Sequence, residues 1–303
     1  MFMQVLEVSR LLEKPKVNGD NVKSLLTERG LSDVHVKRVE GRRGHTDFIK
    51  AVIPGTRADA LTLGVIGRLG GVGARPEMTG MVSDADGAVT ALSVALKLAD
   101  MNADGEKLPG TVIVATHICP EAPISPHEPV PFMGSPVGMA EMNQWEVDSR
   151  MDAVLSIDTT KGNRVAKWRG FAITPTAKEG WILKVSDSLL DIAEYTTGRT
   201  PRVLPITTQD ITPYGTGLYH VNSIMQPVTA TESPVVGVAI TSETIVPGCA
   251  TGANQPVDID EAARFTLEVA KAYGGGRCSF YDIKEWTIIQ ERWGSLKMLQ
   301  RKD

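Results

Sequence analysis

The chain has 303 residues, 42% of them hydrophobic and 22% charged, a balance that specifies a folded protein with a substantial core, built as one large α/β domain or two modest ones. Its net charge of -4, with Lys and Arg scattered, leaves out the concentrated basic face that nucleic acid or an anionic membrane requires. Three cysteines, Cys119, Cys249 and Cys278, give neither a disulfide framework nor a zinc-finger spacing; with no signal-peptide pattern and no apolar run long enough to cross a bilayer, the expected location is the cytoplasm.

Apolar positions at helical spacing predict short helices over Phe2–Leu12 and Asn21–Glu28, separated by Pro15 and the turn Val17-Asn18-Gly19. Val34–Val39 alternates, Gly41–Gly44 turns the chain, and Phe48–Ile53 returns until Pro54-Gly55, which is a hairpin signature. His45-Thr46-Asp47 in that hairpin reads as a surface turn. Leu61–Ile66 is a continuous apolar run, the pattern of a strand buried on both faces. A glycine-rich link follows, containing Gly70-Gly71-Val72-Gly73; with no Lys-Ser/Thr after it, it does not specify a nucleotide site.

Next comes the acidic turn Ser83-Asp84-Ala85-Asp86-Gly87, a helix to about Asp100, and a buried strand from Thr111 to Ala115 that runs into Thr116-His117-Ile118-Cys119-Pro120-Glu121. Strand, helix and strand make a crossover unit with parallel strands. Prolines crowd residues 120–136, so a loop without regular structure is expected there, at the edge of a cleft. Further on, Ala153–Ile157 and Pro234–Ile240 read as buried strands, Val203–Ile206 as a short one, and Leu183–Tyr195, Thr216–Ser223 and Ile259–Tyr273 as helices.

Polar residues collect just past the buried runs: Arg68, His117, Asp158 and Glu243. In an open α/β sheet the carboxyl edge of the strands is where ligands bind. Asp84 and Asp86 fit two readings there, metal ligation or simple capping of the helix they open. His117, Cys119, Glu121 and His127 hold three ligand types within one loop region, or form a structural loop around a buried thiol.

The succession Leu61–Arg68, Asp84-Ala85-Asp86-Gly87-Ala88, Thr111–Glu121, Ile157-Asp158, Gly215-Thr216-Gly217 and Pro234–Pro247 resembles the co-catalytic zinc exopeptidase superfamily, nearest its aminopeptidase branch. The resemblance implies a three-layer α/β/α fold around a mixed, largely parallel sheet, the phosphorylase/hydrolase-like core. It places a bridging metal ligand at Asp84 and a second at Asp158; from the residues themselves, Asp86, His117 and His127 are further candidates to hold one divalent ion, zinc or manganese. Where the family has a His-x-Asp pair this chain reads Arg68-Leu69-Gly70; its paired carboxylates fall near Cys119-Pro120-Glu121 and its last histidine near Ile245-Val246. The chain also resembles a bacterial and archaeal family of unknown function that carries the same core.

The reading that follows is a single α/β domain over residues 1–303, with no separate lid domain. The expected function is hydrolysis of a small peptide, amide or amino-acid derivative, with Glu121 or Glu243 as general base and Arg68, Thr216 and His220 contacting the ligand. A non-catalytic binding or assembly protein on the same fold is the alternative. A third reading is an isomerase using Cys119 and Cys249 as opposed thiols, which loosely resembles the two-cysteine amino-acid racemases. The exopeptidase resemblance also implies self-association into a homo-oligomer.

Overall fold

A computed structural model describes residues 1–68, 70–72, 80–214, 216–218, 220 and 223–300. Helix α1 (Phe2–Leu12) buries Val5, Val8 and Leu12 along one stripe. Helix α2 (Gly19–Glu28) opens with a reciprocal capping box between Asn18 and Asn21. Strands β1 (Val34–Gly41) and β2 (Gly44–Ile53) form the predicted hairpin, antiparallel down to the Gly41–Gly44 pair. The surface-turn reading of His45-Thr46-Asp47 is corrected: β2 lies between β1 and β4 (Val112–Ile118), and Thr46 and Asp47 are fully buried. Asp47 accepts hydrogen bonds from the Gly19 N–H at 2.8 Å and Arg38 Nε at 2.7 Å.

Strand β3 (Leu63–Gly67), helix α3 (Asp86–Ala103) and β4 are the predicted crossover unit, with β3 and β4 parallel and adjacent. The proline-rich segment carries a minimal hairpin that was not expected, β5 (Ile124–Ser125) against β6 (Phe132–Met133), built from the non-proline residues. After helix α4 (Met139–Glu146) come β7 (Ala153–Thr159), β8 (Gly170–Ile173), β9 (Ala177–Lys178) and β10 (Trp181–Ile182). Helix α5 (Asp187–Thr197) starts later than Leu183 because Ser186 caps it. The strand expected at Val203–Ile206 reduces to one bridge between Val203 and Ile173. Residues 216–218 are not helical; a 3-10 helix instead covers Ser223–Thr229, and 215, 219, 221 and 222 lie outside the described residues. Strand β11 (Val235–Thr241) and helices α6 (Pro256–Gly274) and α7 (Ile283–Trp293) complete the chain.

The sheet runs β1-β2-β4-β3-β7-β11-β9-β10, with β8 also paired to β11. Its centre, β4, β3, β7 and β11, is parallel. Every residue of β3, β4 and β11 is buried, which accounts for the unbroken apolar runs. One face packs under α1, α2, α3, α5 and α6, around Val65, Leu92, Val114 and Phe265. The other face, with Ile66, Ile113 and Val154, lies under Ile211, Ile224 and Met225 from the two 3-10 segments Thr208–Ile211 and Ser223–Thr229. The architecture is therefore three-layered α/β with a mixed, mostly parallel sheet. Among the described residues no helix is long and apolar enough to cross a membrane.

Two glycines set how closely α3 approaches the sheet. A Cβ on Gly67 would stand 2.3 Å from the Gly87 carbonyl oxygen, and one on Gly87 would stand 2.5 Å from the Ile157 carbonyl oxygen. Side chains at either position would lift the helix start off the strand ends. Their absence brings Asp84 and Asp86 down to the level of Arg68 and Asp158.

Candidate functional site

Because β3, β4 and β7 are parallel, their carboxyl ends lie on one edge, and Arg68, His117 and Asp158 arrive there together. The acidic turn is fastened over them. Ser83 N–H donates to the Ala250 carbonyl at 2.8 Å, Ser83 Oγ donates to the Pro247 carbonyl at 2.7 Å, and Thr159 Oγ1 donates to the Ser83 carbonyl at 2.9 Å. The segment after β11 closes the far side: a Cβ on Gly248 would lie 2.5 Å from Asp84 Oδ2, so glycine there makes room for the carboxylate.

Asp86 does not cap its helix; α3 has no side-chain cap hydrogen bond. Its carboxylate instead forms a buried ion pair with Lys161 and accepts from Asn254 Nδ2 at 2.6 Å, while Lys161 Nζ also donates to the Ala253 carbonyl at 3.2 Å. Neither Lys161 nor Asn254 stands out in the sequence.

Arg68 is equally occupied. Expected to contact the ligand, it is 1% exposed and pairs with Glu146 instead, its Nε 2.7 Å from Oε2 but out of line for a hydrogen bond. Its other nitrogens donate to Asn143 Oδ1 and lie 2.7 Å from Met139 Sδ. Met139, Asn143 and Glu146 share one face of α4 at spacings of four and three, so a single helix face supplies all three partners. His117 Nδ1 contacts the second oxygen of Glu146. The metal-ligand reading of His117 is thereby corrected: its ring is buried in this Arg68–Glu146–His117 cluster and stands 5.5 Å from Phe48.

Among the described residues, two buried carboxylates remain without a cation of their own. Asp84 is 8% exposed and Asp158 is 1% exposed. Burial, reinforced by the charge of Asp86 and only partly offset by Lys161, pushes the Asp84 carboxyl up to about 7. Asp158 is held well above the usual carboxylate range by burial and by Asp84, against a 2.7 Å hydrogen bond from the Thr159 N–H and the more distant Arg68. Among the described residues no donor hydrogen-bonds the Asp84 carboxylate, and no group of three or more His, Cys, Asp and Glu side chains gathers as a metal cage.

Asp84 lines a cleft of about 540 Å³ bounded by the proline-rich segment, residues 159–165, Tyr214, His220 and Gly248. That volume lies in the range of small-molecule sites. His127 lines the cleft beside Phe132, at 5.7 Å between ring centres. His220 stacks on Tyr214 at 4.7 Å and 9°, and both its ring nitrogens are buried without a hydrogen-bond partner. Thr216 is exposed and not part of the lining; Glu121 and Glu243 are also exposed and lie outside it, so neither is placed as the general base.

Cys119 and Cys249 share an apolar cluster with Phe48, Val82, Met133 and Met142. Burial pushes the Cys119 thiol up to about 11 and raises that of Cys249, the opposite of the activation a two-thiol isomerase needs. Both thiols are therefore expected to react with a neutral disulfide reagent at pH 8 at least about tenfold more slowly in the native protein than in urea; equal rates would contradict this burial.

Several solved structures share this fold. The bottromycin maturation enzyme BotP in complex with Mn is 14% identical with a TM-score of 0.55, over 90% of this chain and 71% of that one. The LapA aminopeptidase of Legionella pneumophila is 10% identical with a TM-score of 0.51, over 93% and 72%, and the cytosol aminopeptidase of Coxiella burnetii is 14% identical with a TM-score of 0.52, over 91% and 69%. At such identities the likeness extends to the fold alone. No curated protein sequence matches the chain. The family model described as a protein of unknown function, DUF1177, matches residues 37–303, and the chain belongs to that family.

Proposed function

We propose that the chain hydrolyses a small peptide-like amide or amino-acid derivative bound in the cleft above Asp84. The observation that carries this reading is Asp84, buried at the sheet edge with no cation in contact with it among the described residues and lining a small-molecule-sized space, with Asp158 buried at the same edge. An all-oxygen pair of this kind fits one hard divalent ion such as manganese better than a zinc site, which draws on nitrogen and sulfur donors. When bound, such an ion supplies polarisation of a carbonyl and acidification of a water.

The chain's own groups do the rest. Tyr214 fixes the ring plane of His220 by stacking, and the unpartnered ring nitrogens of His220 hold or pass a proton at the ligand. Phe132, Val130 and the surrounding prolines form an apolar wall that limits water. Arg164 and Glu128, both exposed at the cleft, meet charged ends of a short ligand. Arg68 and Glu146 take no direct part; they fix the strand ends.

The test is a panel of amino-acid amides, dipeptides and aminoacyl anilides incubated with the protein, with and without manganese. Turnover is expected for at least one class, with kcat reduced about a hundredfold in His220→Gln. The closed Arg68–Glu146–His117 cluster favours a second reading, a binding protein on the same fold. A ligand that raises the melting temperature without turnover by any panel member would support that reading instead.

A further inference from the structure

Outside the cleft, three arginines that lie apart in the sequence line one small pocket: Arg169 just before β8, and Arg199 and Arg202 in the segment after α5. This pocket shares no lining residue with the cleft and measures about 20 Å³. A single water needs roughly 10–15 Å³ of such space, so one small group fits and a whole nucleotide or peptide does not.

Backbone pairing brings the arginines together. Ile173 N–H donates to the Arg202 carbonyl at 2.9 Å, and Leu204 N–H donates to the Ile173 carbonyl at 2.8 Å, so the chain around Val203 runs beside the end of β8. Gly170 keeps the space open. Its φ is +94°, and a Cβ there would stand 2.8 Å from Glu261 Oε2 and 3.1 Å from Arg199 Nη2.

Each guanidinium is held by a contact that leaves donors over. Arg169 Nε lies 3.4 Å from Asp258 Oδ1, and Arg199 pairs with Glu261. Arg202 Nη1 donates to the Arg169 carbonyl at 2.7 Å, and its guanidinium lies 5.8 Å from the Trp168 ring centre. Among the described residues these contacts engage one nitrogen of each arginine, whereas a guanidinium carries several N–H donors in a fixed fork. They also set two carboxylates against three cations, which leaves one positive charge unpaired, that of Arg202. The C-terminal end of α5 lines the same pocket, and free carbonyls there would oppose an anion. Those carbonyls are engaged: Gly198 N–H donates to the Glu194 carbonyl at 2.7 Å, and Thr197 Oγ1 donates to the Ala193 carbonyl at 2.7 Å.

We infer that this pocket binds one tetrahedral oxyanion group of the phosphate class, as the free ion or as the end of a larger molecule that projects into solvent. A carboxylate has two oxygens and is satisfied by one bidentate guanidinium, whereas three guanidinium groups around one small space suit the several oxygens of a tetrahedral group. The unpaired charge sets the sign of the ligand, and the spare N–H groups supply its hydrogen bonds. The inference goes beyond the hydrolase reading and does not depend on it. Val165 in the cleft lining and Arg169 in this pocket are joined by only three residues, so a bound anion stands within about 14 Å of chain from the cleft wall.

The test is calorimetric titration of the full chain with sodium phosphate at pH 8 in low salt, because added ions screen exposed charges. Saturable binding of one phosphate per chain is expected, with a dissociation constant of about 1 mM or tighter. Arg202→Gln and Arg169→Gln should each weaken it about tenfold or more, and acetate should bind the parent protein at least about tenfold more weakly than phosphate. Phenyl phosphate separates the two sources: binding as tight as phosphate assigns the site to a terminal phosphate group, and loss of binding assigns it to the free ion. No saturable phosphate binding up to about 10 mM, or binding that both variants leave unchanged, would overturn the site. Acetate binding as tight as phosphate would overturn the tetrahedral assignment. Both arginines are partly exposed, so native circular dichroism is expected in each variant, and the titration of the parent protein decides the site even if one variant does not fold.

Discussion

Asp84→Asn is expected to lower activity on any accepted amide at least about a hundredfold and, in the same protein, to raise its stability at pH 8. The two effects share one cause. Asp84 has its carboxyl lifted from 3.8 to about 7, chiefly by burial, so at pH 8 the folded state carries a charge that the unfolded chain solvates more easily. Because the folded value is the higher one, this group's contribution is most favourable at acid pH, below the unfolded value near 4. It is progressively lost as pH rises through about 7. The upper limit of the penalty is on the order of 4 kcal/mol, from the size of the shift. Urea unfolding in the presence of chelator should therefore show the variant ahead of the parent at pH 8, with the gap closing between about pH 7 and pH 4. A variant less stable at pH 8, or a gap that does not change with pH, would mean that Asp84 carries no such strain.

The second large effect is structural. Glu146→Ala removes the carboxylate that, among the described residues, contacts both Arg68 and His117, each 1% exposed. An uncompensated guanidinium is then left in the interior, and breaking a buried pair from one side costs about 3–5 kcal/mol. Glu146→Gln keeps the shape and some hydrogen bonding, so a smaller loss is expected. Replacing both partners, Arg68→Met with Glu146→Gln, should recover much of the stability, because no unpaired charge remains. Urea midpoints for the three proteins decide the matter; equal losses in all three would show that packing rather than charge governs this cluster.

The fold was readable where burial is two-sided. Unbroken apolar runs at Leu61–Ile66, Thr111–Ala115, Ala153–Ile157 and Pro234–Ile240 became β3, β4, β7 and β11, since parallel central strands have no polar face to interrupt them. The antiparallel addition of β2 to β4 was not readable, and with it went the burial of Thr46 and Asp47: a strand's second neighbour leaves no local mark. At the candidate site, Asp158 was singled out because it follows a buried run that ends at the sheet edge, and Asp84 because it stands in an acidic turn that opens a helix. Glu146 and Lys161 were missed for a physical reason. Both act through distant partners, Glu146 on Arg68 and His117 and Lys161 on Asp86, and a charged residue in a short helix or polar turn looks solvated until the fold buries it. The spacing of Met139, Asn143 and Glu146 on one face of α4 was the available sign that this helix turns polar groups inward.

The grip on Arg68 also bears on how such a centre can change by descent. A lineage replacing arginine by a nitrogen or oxygen donor at this position would strand Glu146 beside His117, and a lineage changing Glu146 first would strand Arg68. Each first step crosses a stability deficit that only the second repairs. Arg68 and Glu146 are thus entrenched together, and related chains should keep or lose them as a couple.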